Sequence, residues 1–148
     1  MLFDFRDGIF VGVHTEAAPS AEEWQRHCVV IERERNATRG VLVFTLGGGP
    51  TTQQRHEMRA ALHEVPAPPT AILTASTLVR GIITSLNWFL GNQVRAFEPS
   101  EVDRALRYLA SAGTAIDREK VLETLSQLAS KLSVVMPRPR ADTRSSRP

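Results

Sequence analysis

The stretch PPTAILTASTLVRGIITSLNWFLGNQVRAFEP, Pro68 to Pro99, packs a strand, a turn, a helix and a second strand into one run. Thr70 to Thr74 is short and apolar and follows two prolines, as a buried strand would. Ser76 stands where a helix N-cap is needed, and the spacing predicts a helix over Thr77 to Leu90. Gly91-Asn92 ends that helix, and Val94 to Phe97 reads as another short strand. Two strands joined by a helix are the unit of a parallel sheet.

The same unit repeats upstream. Gly40 to Thr45 is a nearly continuous apolar run, Gly47-Gly48-Gly49-Pro50 ends it, and Thr51 to Glu64 is predicted helical. The expected inner face of that helix is Met58, Ala61, Leu62 and Val65, and Pro66 breaks it. Further back, Leu2 to Phe5 and Ile9 to Val13 flank Arg6-Asp7-Gly8, a hairpin signal. Ser20 with Glu23 three residues later predicts a capping box for a helix reaching about Arg35, with Trp24, Cys28 and Ile31 on one face. Downstream, Pro99-Ser100-Glu101 opens a helix through Leu109, which Gly113 stops. The expected fold is α/β: a mixed, largely parallel sheet of four to five strands, with an N-terminal hairpin and flanking helices.

A last helix is predicted over Asp117 to Met136, with Val121, Leu125, Leu128, Leu132 and Val135 in a heptad-like stripe. This stripe is too short for a coiled coil. The simpler reading packs it on its own domain; a homodimer or partner contact is the alternative. The expected organisation is therefore an α/β domain over 1–113, an added amphipathic helix over 114–136 and a disordered basic tail over 137–148.

Of 148 residues, 42% are hydrophobic and 23% charged, and the net charge is only +2. The isoelectric point of about 9.2 overstates basicity, because the tail from Arg138 to Pro148 holds four arginines and one acid. Acids and bases interleave elsewhere, so no specific nucleic-acid partner is expected. The apolar stretches fall short of the roughly 18 residues of a membrane span. Met1 to Asp7 is unlike a signal peptide, so a cytoplasmic location is expected. Cys28 is the only cysteine, which excludes an internal disulfide and a cysteine-based zinc cluster.

The hairpin-first order, with VLVFTLGGGPTTQQRHEMRAAL and then AILTASTLVRGIITSLNWFLGNQVRAFEPSEVDRALRYL, resembles the STAS-like proteins. These are relatives of bacterial anti-sigma-factor antagonists and of the cytoplasmic domains of sulfate transporters. The likeness spans roughly residues 2 to 112 and rests mainly on Ser76-x-x-Val79-Arg80, the apolar helix after it, and Ala96-Phe97 before a last helix rich in Ala and Leu. It implies a small non-enzymatic module that binds a protein partner in signalling or regulation, in some members switched by phosphorylation. The antagonists carry their switch serine in an Asp-Ser-Ser-Gly-like turn. Here that place reads Leu46-Gly47-Gly48-Gly49-Pro50-Thr51-Thr52, where Thr51 or Thr52 is the nearest hydroxyl.

Both strand-to-helix turns would lie at the carboxyl ends of the strands, where open α/β sheets bind ligands. Thr45, Thr51, Thr52, Arg55, Ser76, Thr77 and Arg80 are therefore the candidate rim for a partner or an anion. A small anionic-ligand or nucleotide-binding module using this rim is the alternative function. The glycine turn lacks the Gly-Lys-Ser/Thr of a P-loop and the GxGxxG of a dinucleotide site, and no cofactor is expected. The plainer reading gives Ser76 a capping role, Arg80 a solvated position and the glycines a flexible turn.

Trp88 and Phe89 are adjacent on a helix and cannot face the centre of one core stripe equally, so they join Leu125, Leu128 and Leu132 as interface candidates; the plainer reading covers them with the helix over Asp117 to Met136. His14, His27, His56 and His63 are scattered and expected at the surface; without HExxH no metal site is expected. Cys28 reads as a small apolar residue. No nucleophile, base and orienting group converge in the sequence, so an enzyme ranks last.

Overall fold

The computed structural model describes residues 1–62, 66–86, 93–111, 113 and 115–136. Its elements are β1 (Leu2–Arg6), β2 (Ile9–His14), α1 (Ala21–Glu34), β3 (Gly40–Thr45), α2 (Thr52–Leu62) and β4 (Thr70–Leu73). Then follow α3 (Thr77–Leu86), β5 (Val94–Phe97), a 3₁₀ turn (Pro99–Glu101), α4 (Val102–Ala110) and α5 (Arg118–Lys131). The five strands form one mixed sheet in the order β1-β2-β3-β4-β5. Only the β1–β2 pair is antiparallel, in register from Leu2 opposite Val13 to Arg6 opposite Ile9. Asp7 and Gly8 close this hairpin with φ of 50° and 84°, the left-handed pair a two-residue primed turn requires. β2, β3, β4 and β5 are parallel neighbours.

Strand alternation divides the sheet into two unlike faces. On one, Ile9, Val11 and Val13 of β2, Leu42 and Phe44 of β3, Ala71 and Leu73 of β4 and Phe97 of β5 meet α4 and α5. This is the main core: Leu109 and Leu125 are fully buried in it, joined by Val121, Leu128 and Ala129. Two ion pairs fix the first turn of α5, Arg118 to Asp103 of α4 at 2.7 Å and Lys120 to Asp7 of the hairpin turn at 3.2 Å. Exposed pairs like these add little energy but set the position of α5.

The other face carries Phe10, Gly12 and His14 of β2 and Val41 and Val43 of β3, beneath α1 and α2. α1 begins with the expected capping box: Ser20 Oγ accepts from Glu23 N at 3.2 Å and Glu23 accepts from Ser20 N at 2.9 Å. Trp24 and Ile31 are buried on its inner side and Cys28 is half-buried, so its thiol pKa is raised by burial and then by Glu57.

The inner face foreseen for α2 is only half-buried at Met58, Ala61 and Leu62, and the buried side chain there is polar, Gln54. Its amide donates to the Pro19 carbonyl at 2.9 Å, tying α2 to the loop before α1. Val65 lies outside the described residues.

The last helix is shorter than the stripe suggested. Ser133 takes the left-handed conformation (φ 55°). Val134 N then bonds Ala129 O at 2.9 Å and Ser133 N bonds Ser130 O at 3.0 Å. This is a Schellman stop, with Val134 folded back as its buried apolar contact. Val135, beyond the stop, is 87% exposed. The tail 137–148 lies outside the described residues. Among them no helix is long and apolar enough to cross a membrane.

Candidate functional site

The rim residues lie at the carboxyl ends of the strands as expected, but their polar groups are engaged internally. Thr45 Oγ1 donates to Gly48 O and accepts from Gly47 N. Gly48 N donates to Thr15 O at 3.0 Å. A Cβ on Gly48 would stand 2.4 Å from both the Thr15 and the Ala17 carbonyl oxygens. The glycine turn thus presses its own backbone against the loop between β2 and α1. Gly48→Ala is expected to cost about 2 kcal/mol through overpacking. Gly49→Ala, where a Cβ meets nothing within 4 Å, is expected to be neutral or slightly stabilising. Urea unfolding of the two variants checks this, and equal stabilities would refute it.

Thr51 and Gln54 form a second capping box: Thr51 Oγ1 accepts from Gln54 N at 3.2 Å, and Gln54 Oε1 accepts from Thr51 N at 2.9 Å. Arg55 donates to the Pro50 carbonyl at 2.8 Å and to Thr52 Oγ1 at 2.9 Å. Ser76 Oγ accepts from Val79 N at 3.2 Å, as an N-cap does. Arg80 donates to the Thr74 carbonyl at 3.0 Å and pairs with Glu98 at 3.3 Å, so it bridges the ends of β4 and β5 instead of standing in solvent. Thr77 is exposed. An incoming anion would have to displace these partners.

Beside the rim, none of the residues 77–84 of α3 is fully buried. Leu78 is 73% exposed and Ile82 50% exposed. Four residues apart, they share one side of the helix. Arg80 is the only charged residue between Thr77 and Leu86. Trp88 and Phe89, the aromatic interface candidates, lie outside the described residues. Leu125 and Leu128 are buried in the protein's own core and Leu132 packs half-buried against it, so none of the three is free for a partner. From Val121 to Leu128 the stripe is buried within the same chain, and only Val135, beyond the helix stop, is exposed.

Two of the four histidines are not at the surface. His14 is 7% exposed at the end of β2, and His27 is half-buried on α1, where its ring meets those of Phe3, Phe10 and Trp24 at 4.7 to 5.3 Å. The Nδ1 atoms of both, and Trp24 Nε1, are buried without a hydrogen-bond partner. The His14 pKa is pushed down to about 4 by burial and then by the Met1 amino group, with Glu23 opposing. That of His27 is pushed down to about 4 by burial and by charge on His14. Both rings are therefore neutral at pH 7. They line an apolar cavity of about 230 Å³ between the sheet, α1 and α2. Sequence reasoning missed this pair, though one signal was present: Phe10, Gly12 and His14 alternate along β2 and must share a face.

His56 is exposed and His63 lies outside the described residues. Among the described residues no three His, Cys, Asp or Glu side chains gather as a metal site would need. Comparison with protein-family models, with curated proteins and with solved structures finds no match to this chain.

Proposed function

We propose that this protein is a non-enzymatic protein–protein interaction module of a bacterial-type signalling or regulatory system, STAS-like and cytoplasmic, with α3 as its contact surface. The exposure of Leu78 and Ile82 on successive turns carries this reading. Burying these two neighbouring aliphatic side chains against another molecule would be favourable. Gly81 between them adds to the flatness, since even a Cβ there would meet nothing within 4 Å. A protein fits this surface better than a lipid bilayer does. Helices that lie on membranes are bordered by lysine and arginine, whereas the one arginine of α3 is paired with Glu98. The partner's own apolar patch would seat on Leu78 and Ile82, while Arg80, about 200° round the helix from both, holds α3 to the ends of β4 and β5.

A phosphorylation link would act at the neighbouring turn. Phosphate on Thr52 would stand beside the Arg55 guanidinium, already 2.9 Å from the hydroxyl, at the start of α2.

The double variant Leu78→Glu, Ile82→Glu is expected to fold as the parent does and to bind its partner about 100-fold more weakly, as loss of two interface anchors would give. Val29→Glu, at a 58% exposed position on α1, is the control and should bind normally. Quantitative mass spectrometry of tagged protein in extracts of the native host identifies the partner, and a titration with that purified partner gives the affinities. A partner that stays bound to the double variant, or no stoichiometric partner at all, would sink the proposal.

A further inference from the structure

We propose that the cavity between the sheet, α1 and α2 is a binding site for a small, largely apolar molecule carrying one neutral hydrogen-bonding group, of the class of alkylphenols and medium-chain alcohols. This goes beyond the contact surface on α3 and does not depend on it.

Protein interiors are close-packed, with few voids larger than a water molecule. Between the sheet, α1 and α2 a space of about 230 Å³ is left. An aliphatic cavity of about 150 Å³ is known to stay dry and to hold benzene. The space here therefore suits an aromatic ring with a few added carbons. Phe3, Phe10, Ile31, Val43, Met58 and Leu62 supply the apolar walls.

Gly12 helps to create the space. It sits within β2, paired with Phe3 on one side and Val43 on the other. A Cβ there would meet only Val43 Cγ2 at 3.8 Å and Leu2 O at 3.9 Å, both ordinary contacts. Nothing in the backbone demands glycine at this position, and glycine weakens a strand unless something must approach closely.

The polar capacity of the cavity lies in the histidines. The Thr38 and Thr70 hydroxyls that also line it already donate to the Glu34 and Pro68 carbonyls. His14 is more than nine-tenths buried, and its Nδ1, like that of His27, has no partner. A buried polar atom left unpaired in a native interior calls for a cause, and a ligand hydroxyl is one. The one charged group among the lining residues, the Met1 amino group, is already held by Glu23 at 2.7 Å, so no unpaired charge awaits an anion and the ligand that fits is uncharged.

The test uses p-cresol and toluene, equal in carbon skeleton and differing by one hydroxyl. Each is titrated into the full chain carrying ¹³C-labelled methyl groups. Both are expected to shift the methyl resonances of Ile31, Val43, Met58 and Leu62, with p-cresol binding about fivefold tighter, as one neutral hydrogen bond gives. Gly12→Val fills the space and is expected to abolish both titrations without lowering the melting temperature. If that variant does not fold, Gly12→Ala replaces it, with about tenfold weaker binding expected from the lost volume. Three results would each overturn the proposal: no methyl shifts up to the solubility limit, equal affinities for the two probes, or undiminished binding to a folded Gly12 variant.

Discussion

Leu125→Ala is expected to lower the free energy of unfolding by about 3 kcal/mol, both from the lost burial of the side chain and from the hole it leaves. Leu125 is fully buried at the centre of α5, in the cluster that covers Ile9, Val11 and Val13. The loss should therefore appear in the whole domain and not only in the last helix. Urea unfolding followed by far-ultraviolet circular dichroism and by tryptophan fluorescence should give one shared transition at a lower midpoint. Val135→Ala, beyond the helix stop and 87% exposed, should change stability by less than about 0.5 kcal/mol. The same experiment separates packing within one chain from packing between two. A helix exchanged between copies would make the midpoint rise with protein concentration, and a helix packed on its own sheet would not. A Leu125→Ala variant as stable as the parent, or a concentration-dependent midpoint, would show that α5 does not complete this core.

Acid should destabilise the fold well before the carboxylates titrate. His14 and His27 have pKa values near 4 in the folded chain against about 6.5 when unfolded. Their neutral forms are favoured by folding, so this stability is complete above about pH 6.5 and falls as pH drops towards 4. The first of the two rings to charge should withdraw about 3 kcal/mol over that window, and its charge then opposes protonation of the other. The groups facing the pair are the Met1 amino group and Glu23. Glu23 has a lowered pKa, chiefly through its hydrogen bond from that amino group, so its own contribution is lost only as pH falls further, below the usual carboxylate value. Urea midpoints measured from pH 7.5 to 4 should decline in the parent and decline about half as steeply in His14→Gln. Assigned His14 and His27 ring ¹⁵N shifts that titrate near pH 6.5 in the folded protein would disprove the account.

Much of the architecture is legible in the order of residues because its signals are local. Asp7-Gly8 specifies the hairpin, Ser20 with Glu23 specifies a helix start, and the apolar runs at 40–45 and 70–74 mark central strands. The position of the rim residues at the strand ends follows from the strand order, but their hydrogen-bond partners do not. Thr51 and Gln54 have capping spacing that went unread, and Arg80 finds its partners at Thr74 and Glu98 only once two strands lie side by side. The end of α5 was set too late because the left-handed residue there is Ser133 and not a glycine. The buried histidines were the largest omission. Their burial depends on how α1 folds back over β2, which brings His27 onto Phe10, and no single histidine announces it.

The strand order along the sheet equals the strand order along the chain, and this shapes how the protein emerges from the ribosome. Each new strand finds its neighbour already made, so the sheet can extend from the hairpin outward as synthesis proceeds. The covering of its first strands cannot keep pace. Ile9, Val11 and Val13 wait for α5, whose residues 118–131 are made more than 100 positions later. Until then the nascent chain presents a bare aliphatic strip, the kind of surface that chaperones hold and that aggregation starts from. Folding is thus a seal closed from the far end: the last helix returns to the first hairpin, and Lys120 meets Asp7.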